Sequence, residues 1–201
     1  MLQARRELGP VGICGVVETA RILLGAERAQ IHVADYALSC LRVLTPSGAL
    51  GEPYLHEGTI AGRALTTGEQ VITDTTRWVP LVDGDERLGV LELEMPDTPA
   101  LEAAHTDLSA VLVLMIVSMR RYTDVWLQAR RALPVSAAAE AQWDLLPPLA
   151  SGTPEVAVSG ILEPAYEIGG DSFDYAINPG RLDLAIVDAI GHGMTAVLMS
   201  T

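Results

Sequence analysis

A long apolar pattern between Leu101 and Leu133 constrains the fold more than any other feature of this sequence. Its apolar residues recur at steps of three, four or seven, which is the spacing of one face of a helix. The positions of this seam are Leu101, Leu108, Leu112, Met115, Met119, Tyr122, Trp126, Ala129 and Leu133. The pattern predicts one long helix that ends at Pro134, because proline has no backbone N–H to donate within a helix. Such a helix divides the 201 residues into a larger first part and a smaller second part.

The same helix is also apolar away from the seam, between Val111 and Val117. Two apolar faces predict two contacts, one with the helix's own sheet and one with a partner, so we expect a parallel homodimer. The alternative is one amphipathic helix that lies on a single domain. In that arrangement, another surface would have to bury Tyr122, Trp126 and Leu133.

Short helical and β-prone segments precede this helix. The apolar spacing predicts a helix from Val11 to Leu24, ended by Gly25, and another from Thr59 to Thr66, closed by Gly68. Strands are predicted at Gln30–Val33, Ser39–Leu44, Gln70–Thr73, Leu81–Val82 and Leu88–Glu94, the first two as a hairpin and the last two around an Asp83-Gly84-Asp85 turn. Residues 1–133 are therefore expected to form one mixed domain with an antiparallel sheet.

The second part begins with a predicted linker over residues 134–150. Ser136 can cap a helix that runs to Leu146 and stops before Pro147-Pro148. Residues 151–201 then predict strands at Glu155–Leu162, Phe173–Ile177 and Leu182–Val187, turns at Gly169-Gly170-Asp171 and Asn178-Pro179-Gly180, and a helix from His192 to Thr201. The fold class of the whole chain is predicted to be α+β.

Charge and composition exclude several classes of function. A formal net charge of -13 argues against binding to nucleic acid or to an anionic membrane surface, because both need clustered Lys and Arg. The most apolar run, Val111 to Val117, is far shorter than the roughly 20 residues of a membrane-spanning helix. The chain start lacks the apolar stretch of a signal peptide, so we expect a cytoplasmic protein. Cys14 and Cys40 form no CxxC pair and are expected to be reduced thiols.

Two aspartates carry the strongest chemical signal. Asp171 follows two glycines, and Asp188 closes the predicted Leu182–Val187 strand just before a second glycine-rich segment. Glycine lets the backbone approach a hard cation closely, and carboxylate and carbonyl oxygens are the ligands that such cations take. An Asp beside glycine is also common turn chemistry. The pairing of the two sites favours Mg²⁺ or Mn²⁺ binding over turns alone.

From about Trp143 onward, the sequence resembles the type 2C-like (PPM-type) phosphatase domains of bacterial sporulation and stress regulators, the SpoIIE/RsbU group. The resemblance rests on LLPP at Leu145 to Pro148, PAYEIGGDSFDY at Pro164 to Tyr175, and DAIGHGMTAVLMST at Asp188 to Thr201, in that order and spacing. It implies a metal-dependent phosphoserine and phosphothreonine protein phosphatase, built as an α-β-β-α sandwich of which this chain holds the first part.

The resemblance also implies roles for particular residues. Asp171 would bind metal, Asp188 would bridge two Mg²⁺ or Mn²⁺ ions, and the carbonyl of Ala189 would be a further ligand. A water bridging the two ions would then attack phosphorus directly. Asp174 and His192 also match the pattern. We expect them to contact the metal ligands without binding the metal themselves, and Asp174 could equally be structural.

In that family the later acidic ligands lie in the second half of the domain, beyond the point reached by Thr201. We therefore expect the metal site to be incomplete in these 201 residues and the chain to be inactive by itself. The substrate implied is a phosphorylated regulatory protein, an anti-sigma-factor antagonist. The alternative is a sensory and dimerisation module that carries an inert phosphatase remnant.

Residues from about Val11 to Leu133 resemble a GAF domain, a sensory fold with a central antiparallel sheet. The resemblance lies in GTIAGRALTTGEQVITD at Gly58 to Asp74 and VPLVDGDERLGVLELEM at Val79 to Met95. It implies an unknown small-molecule ligand, since no cysteine is placed for a bilin and no cyclic-nucleotide signature is present. Candidate pocket residues are His32, Tyr54, His56 and Trp78, although scattered polar aromatics are more often partly exposed structure.

Overall fold

The computed structural model describes residues 12–45, 47–84, 86–95, 102–162 and 169–200. The chain divides into two compact units: unit 1 is Met1–Asp83 with Arg87–Ala132, and unit 2 is Gly84–Glu86 with Leu133–Thr201. Parts of the sequence predictions fall on Val11, Asp85, Leu101, residues 163–168 and Thr201, which lie outside the described residues. None of the helices in the described ranges combines the length and apolar character that a membrane-spanning helix needs.

Unit 1 alternates helices with a sheet. Its elements are α1 (Gly12–Leu24), β1 (Arg28–Ala34), β2 (Cys40–Leu44), β3 (Tyr54–Leu55), α2 (Ile60–Thr67), β4 (Val71–Ile72), β5 (Thr76–Asp83), β6 (Glu86–Glu94), α3 (Glu102–Met119) and α4 (Val125–Arg130). The strands form one six-stranded sheet in the order β3-β2-β1-β6-β5-β4. Strand β1 is antiparallel to both β2 and β6. The mixed class and the antiparallel sheet predicted for the first domain are confirmed.

The two faces of this sheet bury different sets of residues, because side chains alternate along each strand. One face carries Ile31, its register partner Leu91 and Leu93, and it packs in the same core as α1, α3 and α4. The other face carries Val90 and packs against the buried face of α2, which includes Leu65. Cys14 and Cys40 are free and buried.

The predicted continuous helix from Leu101 to Leu133 is wrong. Helix α3 ends at Met119, whose carbonyl accepts hydrogen bonds from the backbone N–H groups of Tyr122 and Thr123. The chain then turns, and α4 packs on β1 and β2. Trp126 and Met119 consequently belong to one core of unit 1, and the break is what lets the second half of the seam reach it.

This break removes the reason for assigning the seam to a dimer contact. Trp126 and Met119 are 5% and 6% exposed, so their cover is the unit's own core and not a second copy. Only Tyr122 and Leu133 of the far part of the seam are exposed. The homodimer stays a prediction, and its contact would have to be made by surfaces other than Met119 and Trp126.

Unit 2 consists mainly of two hairpins and two helices in the described residues. Its elements are α5 (Ala137–Leu145), β7 (Ala150–Gly152), β8 (Ala157–Ser159), β9 (Gly169–Asn178), β10 (Arg181–His192) and α6 (Met194–Met199). The predicted Glu155–Leu162 strand is only β8, which pairs with β7 as a short hairpin. The predicted Gly169-Gly170-Asp171 turn lies within β9, and the last helix starts at Met194 rather than at His192. A phosphatase sandwich is not formed by the described residues.

Candidate functional site

The hairpin of β9 and β10 positions the two motif aspartates. Its strands pair without a break from Arg181 opposite Asn178 to Asp188 opposite Asp171. The loop between them has Gly180 at φ 71°, a left-handed conformation that glycine adopts without strain. Because the register follows from this tight loop, Asp171 and Asp188 must meet at the far end of the ladder.

Asp171 and Asp188 are direct cross-strand partners. Side chains that lie opposite each other in an antiparallel pair have Cβ atoms about 4.5–5.5 Å apart, and like charges in that arrangement are destabilising. Both residues are exposed. A bound cation would relieve this repulsion, so the pair is a natural place for a divalent metal ion.

A bulge in β10 follows the aspartate pair. The register shifts between Asp188 and His192, and His192 pairs with Gly169. The bulge brings the carbonyl oxygen of Ala189 so close to Gly170 that a Cβ atom at Gly170 would lie 2.0 Å from it. Glycine is therefore required at Gly170 for steric reasons, and the Ala189 carbonyl is fixed against β9 next to the two carboxylates.

The other two predicted residues do not join this pair. Asp174 is three residues from Asp171 along a regular strand, so its side chain lies on the opposite face. Its Oδ1 accepts a hydrogen bond of 2.9 Å from the backbone N–H of Tyr175. His192 is exposed beyond the bulge. The structure thus brings together Asp171, Asp188 and the backbone of Ala189.

Two carboxylates and one carbonyl suit Mg²⁺ or Mn²⁺ chemically, because both ions prefer oxygen ligands. They are too few to fill an octahedral site without water or further protein ligands. Within the part of the chain that the structure describes, no group of three or more His, Cys, Asp or Glu residues is arranged to hold a metal ion. The donor set fits the first part of a metal site.

A cleft of about 760 Å³ adjoins the aspartate pair. One wall is the segment from Ala157 to Leu162, and the other is the hairpin. Along the hairpin, Phe173 pairs with Ile186 on the same face as the two aspartates. Ile186 is 91% exposed, so this wall is apolar and open to solvent. The cleft has Asp171 and Asp188 at one end, and Asp174 lines it as well.

Unit 2 also ties its first helix and linker to β9. The Tyr175 hydroxyl donates a 2.7 Å hydrogen bond to the carbonyl of Pro148. The side-chain Nε2 of Gln142 on α5 donates to the main-chain carbonyl of Asp171. Sequence reasoning missed Gln142, since a glutamine in an amphipathic helix carries no signal of a long-range partner.

Unit 1 contains a buried polar cluster on the α2 face of its sheet. Its centre is His32, which is 5% exposed. The His32 Nδ1 atom lies 2.6 Å from the Tyr54 hydroxyl, and Nε2 lies 2.9 Å from Glu92 Oε2. Arg28 donates to the other Glu92 oxygen at 2.5 Å, and the Trp78 ring lies 5.3 Å from the His32 ring.

Three of the four predicted pocket residues are therefore in contact: His32, Tyr54 and Trp78. His56 is not part of the cluster, because its Nε2 lies 2.5 Å from the carbonyl oxygen of Leu38. Sequence reasoning missed Glu92. Alternation along β6 places Glu92 on the face opposite to Leu91 and Leu93, but it gives no sign of the partners of Glu92.

The cluster shifts the pKa values of two of its members. Burial is the largest influence on Glu92 and raises its pKa, but the hydrogen bonds and charges of His32 and Arg28 together hold that pKa below its usual value. Burial, followed by the charge of Glu92, raises the pKa of Tyr54 to about 12. The phenol therefore stays protonated at neutral pH, and it shares a hydrogen bond with His32 Nδ1. Tyr54, His32, Glu92 and Arg28 each hydrogen-bond to another member of the cluster, as in a structural polar network.

Several solved structures are similar to part of this chain. The GAF domain of an Acinetobacter phosphoenolpyruvate-protein phosphotransferase is 14% identical, with 53% of this chain and 81% of that chain covered and a TM-score of 0.46. The second GAF domain of DevS from Mycobacterium smegmatis is 19% identical, with 57% and 100% covered and a TM-score of 0.46. A methyl-accepting chemotaxis protein is 15% identical, with 59% and 95% covered and a TM-score of 0.49.

No protein-family model matches the chain, and no curated protein matches it either. At these identities and scores, the structural similarities say nothing about ligand, partner or activity.

Proposed function

We propose that this chain is part of a sensor-regulated protein phosphatase, in which unit 1 is a GAF-like sensory domain and unit 2 holds the first part of a metal-dependent catalytic site. The observation that carries the proposal is the direct pairing of Asp171 with Asp188 at the end of a hairpin. A protein that did not bind a cation there would gain stability from replacing either carboxylate.

Asp171, Asp188 and the Ala189 carbonyl would hold Mg²⁺ or Mn²⁺ in this proposal. Two such ions, when bound, supply an activated water and stabilise negative charge on a phosphoryl group. The protein's own part is to fix the two carboxylates opposite each other and to present the apolar cleft beside them. The volume of that cleft, about 760 Å³, is in the usual range of ligand sites.

The substrate proposed is a phosphoserine or phosphothreonine of a small regulatory protein, such as an anti-sigma-factor antagonist. Unit 1 would control hydrolysis in response to a small molecule, in a homodimer, inside the cytoplasm. Support for these finer points comes from the phosphatase and GAF motifs quoted above and from the formal charge of -13, which disfavours nucleic acid and anionic membranes as partners.

A second candidate function is a sensory module with an inert phosphatase remnant. It is favoured by the lack of any three-residue acidic, His or Cys cluster suited to a metal among the described residues. In that case unit 2 would retain the hairpin without hydrolysing anything.

Hydrolysis of a phosphorylated peptide in the presence of Mn²⁺ distinguishes the two candidates. The assay compares the 201-residue chain, the same chain with any sequence its gene encodes beyond Thr201, and that longer form with Asp188→Asn. We expect turnover only by the longer form without the substitution, because the short chain has too few ligands. Equal turnover by the Asp188→Asn form would contradict the proposed role of Asp188, and no turnover by any form would favour the inert remnant.

A further inference from the structure

We infer that Gln142 is a positioning residue, which fixes the main chain of Asp171 and thereby sets the spacing of the two carboxylates in the metal site. This inference rests on the function proposed above. Gln142 lies on α5 and touches neither carboxylate through its own amide. Its Nε2 donates to the carbonyl oxygen of Asp171, the residue at the end of the paired ladder.

The surroundings of Gln142 explain why this bond is well defined. Gln142 is 2% exposed and lies on the buried face of α5 together with Ala138 and Ala139. Helix α5 packs against α6, whose buried residues are Ala196 and Val197. A side chain enclosed in this way has few alternative rotamers, so its amide holds one position.

Helix α5 therefore contacts β9 itself and the helix that follows β10. It is bonded to Asp171 at the start of β9, and it packs on the helix that follows Asp188 and the bulge. A displacement of α5 would therefore act both on the main chain of Asp171 and on the helix that follows Asp188. Helix α5 is also the first helix that the chain reaches after unit 1, so it is placed in sequence where a regulatory displacement would arrive.

The unbonded half of the Gln142 amide argues that the side chain is not there for stability. Its Oε1 is buried and has no hydrogen-bond partner among the described residues. A buried acceptor without a partner lowers stability, whereas an apolar side chain of the same shape avoids that cost. Methionine would fill the same volume. The feature that methionine lacks is the donor to Asp171.

The test is Gln142→Met, with Gln128→Met as the matched control because Gln128 is exposed on α4 of unit 1. Three measurements are made on the 201-residue chain: the affinity for Mn²⁺ by electron paramagnetic resonance, the midpoint of urea unfolding, and amide hydrogen exchange of the metal-free chain over residues 169–172. We expect Gln142→Met to weaken Mn²⁺ binding about tenfold, as loss of an outer partner of a metal ligand does. Exchange should be faster over those residues, and the unfolding midpoint should be unchanged or higher.

Unchanged Mn²⁺ affinity in Gln142→Met would overturn the inference, even if the unfolding midpoint or the exchange rate shifted, because those changes alone describe a packing residue. Equal weakening in Gln128→Met would overturn it too. If the unsubstituted chain binds no Mn²⁺, the proposed metal site fails, and the inference fails with it. That result differs from equal Mn²⁺ binding by the unsubstituted chain and Gln142→Met, which would overturn the role of Gln142 alone.

Discussion

Replacing Glu92 by leucine would test how much the buried polar cluster stabilises unit 1. The Glu92 side chain is 5% exposed and has two partners: His32 Nε2 at 2.9 Å and Arg28 Nη2 at 2.5 Å. The His32 side chain is 7% exposed, so the variant leaves its ring nitrogen without an acceptor in a dry site. The Arg28 side chain is 50% exposed and can turn to water.

These exposures set the expected magnitude. A buried hydrogen bond to a charged group contributes about 1.5–3 kcal/mol. The exposed Arg28 pair adds about 0–1 kcal/mol, because water and salt screen it. We therefore expect Glu92→Leu to lower the free energy of unfolding of unit 1 by about 2–3 kcal/mol, with most of the loss due to His32.

The assay is urea unfolding followed by tryptophan fluorescence, since Trp78 and Trp126 both lie in unit 1. His32→Leu is measured alone and together with Glu92→Leu. The double variant has no unpaired buried ring nitrogen, so its loss should be smaller than the sum of the single losses by more than about 1 kcal/mol. Additive losses would refute the reasoning, because they would show that Glu92 and His32 do not depend on each other.

Acid should weaken the same contact in the unsubstituted chain. The folded-state pKa of Glu92 lies below its ordinary value of 4.5, so its carboxylate stabilises unit 1 fully above about that pH. The contribution is lost as the pH falls through the lowered pKa. Glu92→Leu should therefore have a flatter dependence of unfolding free energy on pH below about 4.5 than the unsubstituted chain.

Two pairs of substitutions test the packing of the two units. Gly170→Ala should destabilise unit 2 by about 1–3 kcal/mol in urea unfolding, because the added Cβ would lie 2.0 Å from the Ala189 carbonyl oxygen. Gly15→Ala is its control, since a Cβ there meets nothing within 4 Å, and a comparable loss in that variant would contradict the steric reason. Trp126→Ala should lower the stability of unit 1 by about 3–5 kcal/mol, and Tyr122→Ala by under about 1 kcal/mol. Both variants are measured by circular dichroism in urea. Similar losses would mean that Trp126 is not buried in the core of unit 1.

Elements with strong local signals could be predicted from the sequence. The first hairpin is an example, because β-prone runs flank Asp35, whose carboxylate accepts hydrogen bonds from the backbone N–H groups of Ser39 and Cys40. Helix α2 is another. Thr59 caps its start through a 2.9 Å bond from Gly62 N–H, and Gly68 ends it at φ 68°. In both cases the residues that decide the structure are neighbours in sequence.

The break after Met119 could not be predicted in the same way. Apolar periodicity shows that a residue is buried, but it does not show which surface buries it. Trp126 satisfies the seam equally well on a partner helix or on its own sheet. The glycines at Gly169 and Gly170 read as a turn, yet they lie in β9, because the bulge in β10 requires a residue without a side chain there.

The candidate site was predictable in part. The positions of Asp171 and Asp188 near the ends of two strands follow from the sequence, and the tight loop at Gly180 brings the strands into register. That Asp174 faces away also follows from alternation once the strand is known. The bond from Gln142 could not be foreseen, because it joins residues 29 positions apart without any pattern that links them.

Binding of Mn²⁺ to the 201-residue chain tests the central claim most directly, since it asks whether the aspartate pair is a metal site at all. Electron paramagnetic resonance is used to titrate the chain with Mn²⁺, alongside Asp188→Asn and Asp174→Asn. Asp174 is the matched control, because it is an aspartate of the same hairpin on its other face. We predict that Asp188→Asn abolishes binding and that Asp174→Asn binds as the unsubstituted chain does. Retained binding in Asp188→Asn, or equal loss in both variants, would contradict the account.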